Sequence, residues 1–231
     1  PDAAPEQAGC RSQFVRNYSS RRGVRPRLFV LHYTVSPNRP GWSDVNAITS
    51  LFDTASFQAS SNYILDNEGH CAYIVRESDK AWTQAAFNPV SISVEVINTG
   101  HEATYAGTAG LGKLARIVSD AAGRWQIPLR RGKVAGCSVV NGGIVDHNQL
   151  GACGGGHFDI TPYSTETVIA AARAYRAATS ITAVDRRTCA KLNAWRRRGR
   201  PAGHQVVVNV RRKQALAHRG ITCTSSGPVR R

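Results

Sequence analysis

Three short apolar runs constrain the fold of this chain more than any other feature: RLFVLHYTV at 27–35, SISVEVIN at 91–98 and GGIVD at 142–146. Each is short and rich in branched or aromatic residues, so each reads as a buried β-strand. NYILDNEGHCAYIV, residues 62–75, reads as a hairpin turning at Asn67, Glu68 and Gly69. Helices are expected between these strands. WSDVNAITSLFDTA, residues 42–55, sets Val45, Ile48, Leu51 and Phe52 at helical spacing, with Ser43 or Asp44 as the N-cap. LGKLARIVSDAAGRW at 111–125 and TETVIAAARAYRAAT at 165–179 are amphipathic, the second capped by Ser164. The pattern predicts an α/β (α+β) domain over residues 27–180, a central mixed sheet covered by helices.

At 231 residues the chain can bury one sizeable core, or one domain with an appendage. No apolar run approaches the roughly 18 residues of a membrane-spanning helix. Residues 1–26 are polar and rich in Pro and Arg, and are expected to form an irregular arm, stapled through Cys10. The six cysteines contain no C-x-x-C pair, which points to disulfides and an oxidising, extracytoplasmic location. Cys189 and Cys223 are expected to pair. Cys137 and Cys153, which flank VVNGGIVDHNQLGA, are expected to form a second bridge. The chain starts at Pro1 and has no Met, which either processing of a secreted protein or simple trimming of a longer chain would explain.

The net charge of +15 belongs to one end of the chain. Residues 185–231 hold 13 Lys or Arg against one acidic residue, whereas residues 1–184 hold 17 basic and 14 acidic residues. Two short helices around a Pro-Gly break are expected in this basic extension, residues 181–231. Such asymmetry calls for an anionic partner: nucleic acid, a membrane surface or an acidic wall polymer. Specific nucleic-acid recognition is not expected, because the extension offers Trp195 as its one aromatic and carries no recognition motif.

The chemistry-bearing residues cluster at the ends of the apolar runs. His32 ends the first, His147 follows GGIVD, and Asp159 comes 12 residues later, beyond a glycine-rich turn that also precedes His157. Imidazole and carboxylate are zinc ligands, and a catalytic zinc site takes three protein ligands with a fourth position left for water. On the residues alone, His157 and Asp159 compete for the third place. Glu95 interrupts SISVEV, where a carboxylate either faces solvent by alternation or is buried with a purpose.

In this order the motifs resemble the zinc-dependent N-acetylmuramoyl-L-alanine amidases of the type-2 family, which share their fold with the peptidoglycan recognition proteins. The resemblance rests on LFVLHYT, on the turn and strand of DNEGHCAYIVRESDKAWTQA, on SISVEV, on His147 and on HFDITP, and covers about residues 27–178. It implies zinc held by His32, His147 and Asp159, Glu95 as general base and His157 steadying the oxyanion. It also implies substrate contacts at Asn62, Trp82 and Thr83. The implied activity is cleavage of the bond between N-acetylmuramic acid and L-alanine in peptidoglycan, by an enzyme secreted to the cell wall.

Three positions depart from the family pattern. His157 stands where a Lys is usual, Thr83 replaces the His of a Trp-His pair, and Ile160 follows the third ligand in place of Pro. A non-catalytic muropeptide-binding module of the same fold is the competing expectation, but such binders often lack a zinc ligand and a full set is available here. For the extension, Arg196, Arg197, Arg198, Arg211, Arg212 and Lys213 are the residues expected to hold anionic wall polymers.

Overall fold

The computed structural model describes residues 7–160, 164–179, 183–197, 212–217, 221–224 and 227–230. The chain divides into two compact units, Pro1–Tyr175 and Arg176–Arg231. In chain order the first unit carries β1 (Arg11–Ser12), β2 (Tyr18–Ser20), β3 (Leu28–Tyr33), α1 (Ser43–Phe52), β4 (Tyr63–Leu65), β5 (Cys71–Tyr73), β6 (Asp79–Ala81) and β7 (Ser91–Val96). It continues through α2 (Gly107–Trp125), β8 (Lys133–Ala135), β9 (Ser138–Asn141), β10 (Gly143–Asp146) and most of α3 (Thr165–Thr179).

Six strands form one mixed sheet in the order β1-β5-β4-β7-β3-β10. The expected buried runs are its centre: β3 lies between β7 and β10, parallel to both. The parallel registers place His32 beside Glu95, and Leu31 beside Asp146. The residue following Asp146 is His147, so the polar ends of three parallel strands share one edge of the sheet. Crevices at the carboxyl ends of parallel strands are where open α/β sheets bind ligands.

Alternation along the strands separates two cores. Phe29, Leu31, Ile92, Val94 and Val96 pack with Leu114, Ile117, Val118 and Ala121 of α2 and with Val168, Ile169 and Ala172 of α3. On the opposite face Leu28 and Val30 meet Phe87, Val145 and Leu150, while α1 covers Ile64, Ala72 and Ile74 through Val45 and Phe52. Each fully buried large side chain contributes about 1.5–3 kcal/mol, so truncating Phe29, which is fully buried, costs about 3–5 kcal/mol once the cavity is included. By the same alternation His32 lies on the Leu28 and Val30 face, away from the larger core, near the carboxyl end of β3.

The hairpin of β4 and β5 turns at the expected residues. Asp66 Oδ1 accepts from the backbone N–H of Glu68 at 3.0 Å and of His70 at 2.8 Å, and Gly69 supplies the positive φ of 88°.

Local expectations fail in three places. The N-cap of α1 is Trp42, not Ser43 or Asp44. Asp44 instead turns back to accept from the Arg39 backbone N–H at 2.5 Å and from its guanidinium. The segment expected as an irregular arm supplies two strands, β1 against β5 and β2 against β6. It is anchored by the Cys10–Cys71 disulfide and by Arg21, which is 3 % exposed and donates to the carbonyls of Glu77, Asn88, Pro89 and Ser91. The β8–β9 hairpin was not expected either, and Cys137 at its turn is bridged to Cys153.

In the second unit, α4 (Ala183–Arg197) is followed by helical residues 212–217 and an antiparallel pair, β11 (Ile221–Thr224) and β12 (Gly227–Arg230). Cys189 and Cys223 are joined, and Cys189, Leu192, Leu216 and Ile221 form a small core. The expected Pro-Gly break lies outside the described residues. Among those described, no helix is long and apolar enough to cross a membrane.

Candidate metal centre and catalytic cleft

His32, His147 and Asp159 each present a ligand atom within 4.8 Å of the others, and all three are buried. The two imidazoles meet edge to face with centroids 4.3 Å apart. His32 Nδ1 lies 3.4 Å from Asp159 Oδ2, and His147 Nδ1 lies 3.1 Å from Asp159 Oδ1. The main chain holds Asp159 in place, since its carbonyl accepts from the Asn148 N–H at 2.6 Å. His157 stands outside this converging set: its side chain is exposed and its ring stacks on His147 with centroids 4.6 Å apart.

The far nitrogen of His147 settles which atom faces the centre. Nε2 is 2.8 Å from the carbonyl oxygen of Gly154, which can only accept, so Nε2 carries a proton and Nδ1 is the nitrogen left to bind a metal. A glycine is needed there because a Cβ on Gly154 would collide with the Cβ of Leu150. On the other side of the centre, Tyr105 Oη donates to the His32 carbonyl at 2.6 Å and fixes the end of β3.

The electrostatics favour a cation. Burial pulls His32 down to about 4, against the hydrogen bond it makes to Asp159, so its imidazole is neutral near pH 7. Burial alone would raise the Asp159 carboxyl, but hydrogen bonds with His147 and His32 overcome it and hold the group below its ordinary range. Both Nδ1 atoms face the Asp159 carboxylate, and a cation placed among the three would take the place of the protons that bridge them. These donors suit zinc.

Glu95 borders this centre, with Oε1 3.9 Å from His32 Nδ1. Burial first, and the nearby Asp159 second, raise its carboxyl well above the ordinary value. Alternation along β7 did not decide whether Glu95 would face solvent, and the structure turns it toward the site.

A cleft of about 360 Å³ opens over these residues. Trp82 and Thr83 line it, and the apolar side chains of Val35, Leu51, Phe57 and Phe158 stand exposed beside it. The Trp82 indole donates to Ser19 Oγ at 3.0 Å, and Thr83 Oγ1 donates to the Ser60 carbonyl at 2.5 Å. Asn62, expected at the substrate, lies elsewhere. It is fully buried, its Nδ2 donates to the carbonyls of Val75 and Arg76, and its Oδ1 accepts from Ser93 N–H, so its hydrogen-bonding capacity ties β4 to its neighbours.

A second group of ligand-type residues, Asp66, Glu68 and His70, is accounted for by the hairpin turn. His70 Nδ1 meets Asp66 Oδ2 at 2.8 Å, and Glu68 Oε2 accepts from Gly41 N–H at 2.9 Å. A larger depression of about 740 Å³, lined by Phe14, Arg16, Tyr18, Asp53 and Arg76, shares no residue with the cleft, and its Arg16 and Asp53 pair with each other.

In the second unit Arg196, Arg197 and Lys213 are exposed, and Arg212 is half-buried. Arg198 and Arg211 lie outside the described residues.

Comparison with protein families matches residues 22–159 to the family described as N-acetylmuramoyl-L-alanine amidase. Among solved structures the chain is similar to the Staphylococcus aureus hydrolase AmiA, with a TM-score of 0.56 at 19% identity over 72% of this chain and 83% of that one. AmpD gives a TM-score of 0.52 at 18% identity over 71% and 93%, and the catalytic domain of XlyA gives 0.51 at 14% over 71% and 98%. At these identities the structural likeness speaks for the fold. No curated protein sequence matches the chain.

Proposed function

The chain belongs to the N-acetylmuramoyl-L-alanine amidase family, and from that premise we propose that it is a secreted, zinc-dependent peptidoglycan hydrolase that cleaves the amide between N-acetylmuramic acid and L-alanine. The observation that carries the reading is the convergence of two histidine Nδ1 atoms and the Asp159 carboxylate beside a half-buried glutamate whose proton affinity is raised.

Zinc held by His32, His147 and Asp159 would supply Lewis acidity at the scissile carbonyl and an acidified water. Glu95 takes a proton from the attacking water as the water oxygen bonds to the carbonyl carbon. A raised carboxyl is a better base than a free one, and it returns the proton to the departing L-alanine nitrogen as the C–N bond breaks. His157, beside the centre and exposed to the cleft, donates to the carbonyl oxygen while negative charge gathers there. Trp82 and Thr83 hold the substrate.

The three disulfides support an extracytoplasmic location. We assign Arg196, Arg197, Arg198, Arg211, Arg212 and Lys213 to weak, multivalent attraction toward anionic wall polymers, which raises the local concentration of enzyme on an insoluble substrate. A non-catalytic binding module would have no need of Glu95 beside a complete donor set.

Incubation with purified peptidoglycan tests the activity. The expected products are new L-alanine amino termini with no new reducing sugar ends. Reducing ends without amino termini would assign the enzyme to the glycan strand and overturn the proposal.

A further inference from the structure

Phe57, Ala59, Trp82 and Thr83 line the cleft, and they come from two segments, 54–60 and 82–83. The segments are stitched together at Ser60, whose N–H donates to the Trp82 carbonyl at 3.1 Å and whose Oγ accepts from the Trp82 N–H at 3.0 Å. The first segment has little to hold its own shape. None of Ala55, Ser56 and Phe57 is buried, and Gln58 sits at a φ of +52°, which a side chain makes unfavourable.

Support comes from residues ahead of the region matched to the amidase family, which starts at residue 22. Along 14–19 the side chains alternate: Phe14, Arg16 and Tyr18 are exposed, Val15 and Asn17 are buried and Ser19 is half-buried. The Cys10–Cys71 disulfide, with the N–H groups of Gln13 and Val15 on the carbonyls of Tyr73 and Ile74, holds this stretch alongside β5. Asn17 is 3 % exposed, and its Nδ2 donates to the Thr54 carbonyl at 2.9 Å and to the Ala59 carbonyl at 3.4 Å. One amide thus closes both ends of the loop that carries Phe57. Two residues on, Ser19 Oγ accepts from Trp82 Nε1 at 3.0 Å, and β2 pairs with β6, which leads directly into Trp82.

We propose that Asn17 and Ser19 are positioning residues for substrate: Asn17 holds the Phe57 loop and Ser19 holds the Trp82 indole, so the N-terminal segment sets the cleft wall that grips the muropeptide. The inference rests on the amidase reading above and deepens it. A wall fixed before substrate arrives need not be ordered on binding, so loss of either support shows in KM and not in the chemical step. A neutral hydrogen bond of this kind corresponds to a factor of about 2–10.

The test uses the full chain and soluble muropeptides released from purified peptidoglycan by muramidase. Ser19→Ala should raise KM about 2–10-fold, with kcat within about twofold and zinc content unchanged. Exchange of the Trp82 indole N–H with solvent, followed by NMR, should quicken, and Ser19→Thr, which keeps the hydroxyl, should restore both readouts. Because Ser19 acts through Trp82, adding Ser19→Ala to Trp82→Phe should change KM by less than about twofold. Asn17→Ala should also raise KM and should speed exchange of the Phe57 backbone N–H, which donates to the Thr54 carbonyl at 3.0 Å. Wild-type KM in Ser19→Ala or in folded Asn17→Ala overturns the proposal. So does a full KM rise from Ser19→Ala in the Trp82→Phe background, which would make the serine merely structural. If Asn17→Ala fails to fold, the Ser19 variants decide. A wild type that neither cleaves nor binds the muropeptides defeats the amidase reading instead, and exchange at Trp82 and Phe57 then decides whether the segment braces the wall.

Discussion

His147 Nε2 lies 2.8 Å from the carbonyl oxygen of Gly154, seven residues later in the same turn, and that contact directs Nδ1 at Asp159. The ring can reach the carbonyl because position 154 has no side chain. Gly154→Ala forces a Cβ against Leu150, so it is expected to displace the carbonyl and cost about 1–3 kcal/mol of stability. Zinc affinity should fall by about tenfold or more. Isothermal titration with zinc checks this, and an alanine variant with wild-type affinity would remove Gly154 from the support of His147.

Glu95→Gln preserves shape and removes the base. Turnover on peptidoglycan is expected to fall about a hundredfold or more with zinc retained. The same variant has a second signature in the metal-free protein. The folded-state pKa of Glu95 is raised, so its stabilising contribution is complete below the ordinary value of 4.5 and is lost as pH rises through the raised value. Metal-free Glu95→Gln should therefore be more stable than wild type near neutral pH, and the difference should vanish at low pH. Denaturant midpoints across pH measure it; equal stability at neutral pH would mean that the carboxyl is not strained by burial.

His157→Ala should keep zinc and slow the chemical step, because its ring stacks on His147 without joining the converging donors. If zinc is lost instead, the third ligand is His157 and the assignment of Asp159 fails. Single-turnover kinetics with metal analysis distinguishes the two.

Removing the Cys10–Cys71 bridge by a double Ser substitution is expected to cost about 4 kcal/mol on the chain-entropy account, given a sequence separation of 61. Much of that loss should appear as detachment of β1 from β5, read by hydrogen exchange at Gln13, whose N–H donates to the Tyr73 carbonyl at 3.0 Å. Undiminished protection there would show that β1 holds without the disulfide.

The parts of the fold that could be read from the sequence are those where burial writes a pattern. β3, β7 and β10 are runs of apolar residues, and His32, Glu95 and His147 stand out as polar residues within or just after them. Asp159 could be aligned with the site but not chosen over His157 on residues alone, since the choice depends on how the glycine turn folds back. β2, β8 and β9 are short and largely solvent-facing, and β6 is only three residues long, so they carry little apolar alternation. Asn62 was expected at the substrate on the family resemblance alone, yet three hydrogen bonds to neighbouring main chain use its amide. The Gly154 carbonyl leaves no sequence signal, because its role arises only when the turn folds back behind the His147 ring.

The most direct measurement of the central claim is zinc content and amidase activity determined on the same samples: wild type as purified, wild type after chelation and zinc return, and His147→Ala. The account predicts one zinc per chain in wild type, release of L-alanine amino termini that disappears and returns with the metal, and neither zinc nor activity in the variant. Stoichiometric zinc in His147→Ala, or full amide cleavage by zinc-free wild type, would contradict it.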